Sequence, residues 1–229
     1  MYYLATLMDI IQKTGNRILV LFDRMGQTTL SAFYLVRLIV LGRIRWRLVL
    51  EQIVSLGIHS LPIIFITAFF VGMAFTIQIV REFLRFGAAQ MIGGIIGMAF
   101  WRELGPLMTG VVVAGRIGAA IASELGTMKV TEQVEALEAL SQDPLEYLVL
   151  PRCLALVFIL PLLVGFADIV GFLAGFIVAL ISNVNPSAYF SSAQDMLGMM
   201  DILGGGIKAV FFGVTIGFIA SFKGLSATS

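Results

Sequence analysis

The chain has 229 residues, 59% of them hydrophobic and only 13% charged, with a formal net charge of +1 and a mean hydropathy of +0.99. An ordinary soluble domain carries roughly 25% charged residues, so this composition belongs in a bilayer, and the near-neutral balance argues against nucleic acid as a partner. The single cysteine, Cys153, leaves no internal disulfide and no thiolate zinc cluster, and reads as a buried thiol.

In chain order, residues 1–52 mix apolar side chains with Lys13, Arg17, Arg24, Arg37, Arg43, Arg45 and Arg47. Acid and base recur from Asp9 onward, unlike a secretory signal. The segment is expected to form one or two interfacial helices with cations at the lipid headgroups. Its apolar piece from Leu30 to Gly42, interrupted by Arg37, falls short of the roughly 20 residues a spanning helix needs.

Residues 53–229 are expected to hold the transmembrane domain, with four spans: Leu61 to Val80, Ile92 to Ser123, Leu154 to Ser182 and Gly206 to Ser221. The second is too long for one perpendicular crossing, and its expected core is Leu104 to Ala122. Pro161 is expected to kink the third. The run "GGGIK" from Gly204 to Lys208 reads as a hinge opening the fourth. Lys and Arg concentrate in the N-terminal segment, the 123–153 loop and the tail with Lys223, which places all three in the cytoplasm. Small residues recur every fourth position: Gly110, Ala114, Gly118 and Ala122; Gly171, Gly175 and Ala179; Gly213, Gly217 and Ser221. Such rows permit close backbone approach and predict a tight bundle.

An ionised side chain near the bilayer centre costs at least about 2.5–3.5 kcal/mol, so Arg116, Asp168 and Glu103 should face protein, water or headgroups. Arg102 and Arg116, fourteen positions apart, come within about 40° of one helical face, a possible ladder for an anionic headgroup. Arg116 and Asp168 are the candidates for a buried ion pair that fixes helix register. Arg102, Glu103 and Lys208 are the candidates for a substrate path, where the cations could hold a phosphate balanced by Glu103, or else form a salt bridge that only locks span ends.

Between the second and third spans lies "VTEQVEALEALSQDPLEYLVLPR", Val130 to Arg152. Thr131 reads as an N-cap, Glu132 and Glu135 sit in the first turn, and Pro144 stops a helix of about three turns over 131–141. Val134, Leu137 and Leu140 share one face; Glu132, Glu135 and Glu138 share the other. The acidic face fits a protein surface better than lipid, although periodicity alone allows a solvated connector.

The run from Arg102 to Ala155, with "ELGP", "AGRIGAAIASELGTMKVTEQVEAL" and "DPLEYLVLPR" in order, closely resembles the MlaE/YrbE permeases of ABC-type lipid transporters, including cyanobacterial and chloroplast relatives. The resemblance extends more weakly from "RWRLVLEQI" to "FKG". It implies an all-α integral membrane fold working as a homodimer in a bacterial inner membrane or plastid inner envelope, with the N-terminus cytoplasmic or stromal. It further implies a cytoplasmic ATPase partner that binds ATP and Mg, an MCE-domain partner, and phospholipid as cargo. The helix between spans two and three would be the coupling helix, with Thr131, Glu132, Glu135, Leu137, Glu138 and Leu140 meeting the ATPase. Members usually continue past the "KG" into a further span, where this chain ends at "SATS", so a fifth span is expected to be missing.

Consistent with a non-catalytic subunit, the sequence carries no G-x-x-x-x-G-K-[ST] phosphate loop, and lone His59 has no nucleophile motif around it. A non-transporting membrane scaffold with the same fold is the alternative, which copurification with an ATPase and phospholipid would separate.

Overall fold

The structure, a computed structural model, describes residues 28–227 together with Gly15, Leu19, Phe22, Asp23 and Gly26. Residues Met1–Ile44 and Arg45–Ser229 form two compact units. In the first, α1 (Thr28–Val40) is apolar but shorter than a span, and the chain leaves it at Gly42, whose φ of 69° suits a residue without Cβ. Most of the expected interfacial segment before it lies outside the described residues.

The second unit opens with α2 (Trp46–Ile58), which runs across residue 52. Four apolar helices follow, each long enough to cross a membrane: α3 (Leu61–Arg85), α4 (Ala89–Val130), α6 (Leu145–Ile181) and the last, α8 (Met199–Leu225). The protein is therefore an integral membrane protein of all-α class, and no strand occurs among the described residues. Two short helices complete it, α5 (Gln133–Ala139) between α4 and α6 and α7 (Pro186–Met196) between α6 and α8.

The 42 residues of α4 would extend about 63 Å at 1.5 Å per residue, twice the hydrocarbon thickness, so part of it must serve another purpose. Its first turns pack on α7: Gly93 and Gly94 lie against the backbone of Tyr189 and Ser192, and the Ser192 hydroxyl accepts from the Gly94 N–H at 3.0 Å. Asn185 caps α7 by accepting from the Ser187 N–H at 3.0 Å, with Pro186 at the first helical position. Tyr189 is fully buried in that corner and donates to the Phe172 carbonyl at 3.0 Å. Burial pushes its phenol pKa upward.

Two apolar cores sit at opposite ends of the bundle, and α6 runs through both. One gathers Ile117, Ile121, Leu125, Val134 and Leu148 around Leu156 and Leu160; the other gathers Ile92, Ile96, Phe100 and Tyr189 around Phe172. The small-residue rows are spent inside the chain. Gly72 of α3 meets the backbone of Gly171, and Gly213 approaches α6 so closely that a Cβ would lie 2.7 Å from the Leu156 carbonyl oxygen. On the near side of α6, Gly57 of α2 rests on Ile159, and Trp46 meets Phe158 at 6.2 Å between ring centroids.

Several local expectations change. Gly204 to Lys208 form no hinge: they lie within α8, which begins at Met199, and the glycine at 205 is what lets α8 pass close to the Trp101 carbonyl. The helix after α4 covers two turns rather than three. Thr131 does not cap it, since its hydroxyl turns back to donate to the Thr127 carbonyl at 2.8 Å and closes α4 instead. Leu140 is 72% exposed; the helix ends at Ala139, before the expected apolar face could continue to it.

Candidate functional site

Because the spans alternate in direction, the start of α3, the end of α4, α5, the start of α6 and the end of α8 share one end of the bundle. There α5 is held at sharp corners by Glu132 (φ 59°) and Ser141 (φ 57°), both in left-handed conformation. Of its side chains Val134 alone is buried, joining the lower core, with Leu137 half-buried beside it; Glu132, Glu135 and Glu138 are exposed.

Charged side chains fix the base on which α5 stands. Lys129 of α4 pairs with Glu135, and that hydrogen bond holds the Glu135 carboxyl below the ordinary carboxylate range. After α5, Arg45 Nη2 donates to Gln142 Oε1 at 2.7 Å, its Nε lies 3.6 Å from Glu146, and its guanidinium sits 5.0 Å from the Tyr147 ring centroid. Arg152, 5% exposed, ties α6 to α4 through Glu124 at 2.7 Å and donates to the Leu148 carbonyl at 2.7 Å. α5 is thus joined to α4 by the Lys129–Glu135 pair and to the apolar core by Val134, and α4 to α6 by Glu124 with Arg152.

The other end brings together the sequence-predicted trio Arg102, Glu103 and Lys208. Lys208 Nζ donates to Glu103 Oε1 at 2.5 Å and to the Arg102 carbonyl at 2.7 Å. Arg102 lies in a π turn, Phe100–Leu104, whose i→i+5 ladder loosens local backbone bonding, so a carbonyl there is open to an outside donor. Arg102 Nε donates to Asp201 Oδ1 at 2.6 Å, and Asp201 also accepts from the Gly198 N–H at 2.9 Å to cap α8. Glu103 and Lys208 line a cleft of ≈ 170 Å³ together with the apolar Pro106, Leu107, Phe211 and Phe212.

The expected pair of Arg116 and Asp168 does not form. Arg116 Nη1 donates to Ser60 Oγ at 2.8 Å, while Asp168, 2% exposed, lies against Gly105 with Oδ1 unpartnered. The ladder of Arg102 and Arg116 is also absent, because the two reach different helices, α8 and the start of α3. A second π turn at Ala114–Gly118 holds Arg116, and wider turns at both arginines displace the face an ideal α-helix would give. Asp201, Glu124, Arg152 and Ser60 were not singled out in sequence. Acid–base pairs split between the facing ends of neighbouring spans, Glu124 with Arg152 and Asp201 with Arg102, were the signal available.

The family model described as Permease MlaE matches residues 49–229. A "Probable ABC transporter permease protein" of Synechocystis sp. is 42% identical over 207 residues, 88% of this chain and 79% of the relative. Another of that description from Rickettsia typhi is 37% identical over 219 residues, 95% and 85% of the two chains. The chloroplastic protein Trigalactosyldiacylglycerol 1 of Arabidopsis thaliana is 41% identical over 191 residues, 83% of this chain and 55% of its own.

Proposed function

The chain belongs to the MlaE permease family of ABC transporter permeases, and from that membership we propose that it is the membrane subunit of an ATP-driven transporter. The cargo is phospholipid, moved between membranes of a cell envelope or plastid envelope. Two copies form the core, a separate cytoplasmic ATPase binds and hydrolyses ATP with Mg, and an MCE-domain protein receives or delivers the lipid on the far side. A lipid cargo is supported by the Arabidopsis relative, whose name is that of a glycolipid. The N-terminus is on the cytoplasmic or stromal side.

The observation that carries the reading is α5: a two-turn helix anchored by Val134, by Lys129 with Glu135 and by Arg45 just beyond it, with its acidic side left exposed. That is the form of a docking element. Glu132, Glu135 and Glu138 meet the ATPase, Leu137 stiffens the underside, and Thr131 and Leu140 flank the contact. ATP-driven closure shifts α5, and α4 and α6 move with it. At the opposite end, Arg102, Glu103 and Lys208 bracket the lipid path, where an arriving phosphate competes with Glu103 for Lys208.

The test is reconstitution with the ATPase in lipid nanodiscs. The double variant E135K/E138K should lose lipid-stimulated ATP turnover while still assembling, and normal stimulated turnover would refute the docking role. K208E should abolish lipid transfer and leave the dimer intact; unchanged transfer removes Lys208 from the path.

A further inference from the structure

At the same end of the bundle as α5, Arg116 stands apart from its neighbours. Arg45, Lys129 and Arg152 each meet a carboxylate. Arg116 has none within 4.0 Å among the described residues, and its one hydrogen bond goes to Ser60 Oγ at 2.8 Å. That hydroxyl is already committed as a donor, to the Leu56 carbonyl at 2.7 Å, so it can only accept from the guanidinium. Ser60 is 1% exposed while Arg116 is exposed: the buried serine holds one terminal nitrogen of the guanidinium, and the other N–H donors have no partner among the described residues. A guanidinium presents five donors in a planar fork that matches phosphate oxygens.

Arg116 and Ser60 line a crevice of ≈ 250 Å³ together with Ser55, His59, Leu56 and Ile117. His59 Nδ1 is held by the Ser55 carbonyl at 2.7 Å, which turns the ring's other nitrogen away from that bond. Ser60 immediately precedes α3, so the crevice sits at the level where a span leaves the hydrocarbon, the depth of lipid phosphates. A cation at that depth meets the anionic layer of the headgroups. The cations of the opposite cluster, in contrast, are already balanced by Asp201 and Glu103.

We infer that Arg116, oriented by Ser60, is a phosphate-binding site on the α5 end of the bundle, separate from the cluster of Arg102, Glu103 and Lys208 and independent of whether the chain transports lipid. The phosphate is either the phosphodiester of a lipid headgroup or free phosphate.

The experiment uses the purified full-length chain in detergent, stripped of lipid and offered phosphatidylglycerol, diacylglycerol or inorganic phosphate, with retention read by native mass spectrometry. Wild type should retain phosphatidylglycerol over diacylglycerol. R116Q should lose about tenfold or more of that retention, the scale of a lost charged hydrogen bond. R116K, which keeps the charge but not the fork, should recover only part of it, S60A should fall between wild type and R116Q, and R85Q should match wild type. Inorganic phosphate that displaces phosphatidylglycerol at low millimolar concentration identifies a free-phosphate site, and failure to displace identifies a headgroup site; both uphold Arg116 as the phosphate ligand. Equal retention of diacylglycerol by wild type, or wild-type retention by monodisperse R116Q, overturns it. If R116Q aggregates, S60A and R116K decide, and wild-type retention in both overturns the oriented-guanidinium geometry.

Discussion

The third and fourth spans, α6 and α8, carry the same kind of small-residue row and use it in different settings. Half of the most apolar stretch of α6 is buried within the fold, against 22% for α8. Both rows are consumed by helix contacts inside the chain, Gly171 under Phe100 and against Gly72, Gly213 and Gly217 against Leu156 and Cys153. The difference lies on their other sides. α6 is enclosed by α2, α3, α4 and α8, whereas α8 presents Ile207 at 58%, Phe211 at 70% and Val214 at 48% exposure. A periodic row of glycine thus marks close approach without saying to which partner, and the partner an exposed face awaits is found only by looking opposite the row.

The sharpest way to break this contrast is to fill the enclosed helix. G171L should cost about 3 kcal/mol or more, because a Cβ there would lie 2.5 Å from Phe100 Cζ and that ring, 0% exposed, has nowhere to retreat. Thermal unfolding of the purified chain checks it; a melting temperature within a degree or two of wild type would show the α6 contact to be slack.

On α8 the expectation inverts. F211A should change stability by no more than about 0.5 kcal/mol yet, if the second copy of the proposed dimer packs on this uncovered face, lower the fraction of dimer in cross-linking or single-molecule counting. A large loss of stability with an unchanged dimer would make that face part of the chain's own core.

The smallest effect concerns α5, outside both spans. Lys129 holds the Glu135 carboxyl below its ordinary value of 4.5. The pair's contribution is therefore complete above that value and lost as pH falls through the lower folded value, leaving α5 unchanged across neutral pH. Carboxylate NMR titration should show K129A returning Glu135 to the ordinary range; an unshifted titration in wild type would remove the pair as an anchor.

The four spans were legible because long apolar runs have no other stable use than bilayer or core, and the trio of Arg102, Glu103 and Lys208 was legible because charges at the margins of spans must find one another. The π turns at Phe100–Leu104 and Ala114–Gly118 were not. They shift backbone hydrogen bonds by one residue and leave no mark in composition, and with them went the expected partner of Arg116. Asp168 was read as needing a cation, while the fold tucks it against Gly105, where only a residue lacking Cβ leaves room. Thr131 carried a true capping preference, but Glu132 in left-handed conformation ended α4 first.

The two corners at Glu132 and Ser141 have a mechanical consequence. Side chains with a Cβ pay roughly 1–2 kcal/mol to sit at positive φ, and such a corner neither unwinds into a longer helix nor swings like a glycine joint. The eight residues between them form a stiff bracket with two fixed elbows, so a displacement applied to the bracket would be delivered to both adjoining columns as torque rather than absorbed in slack.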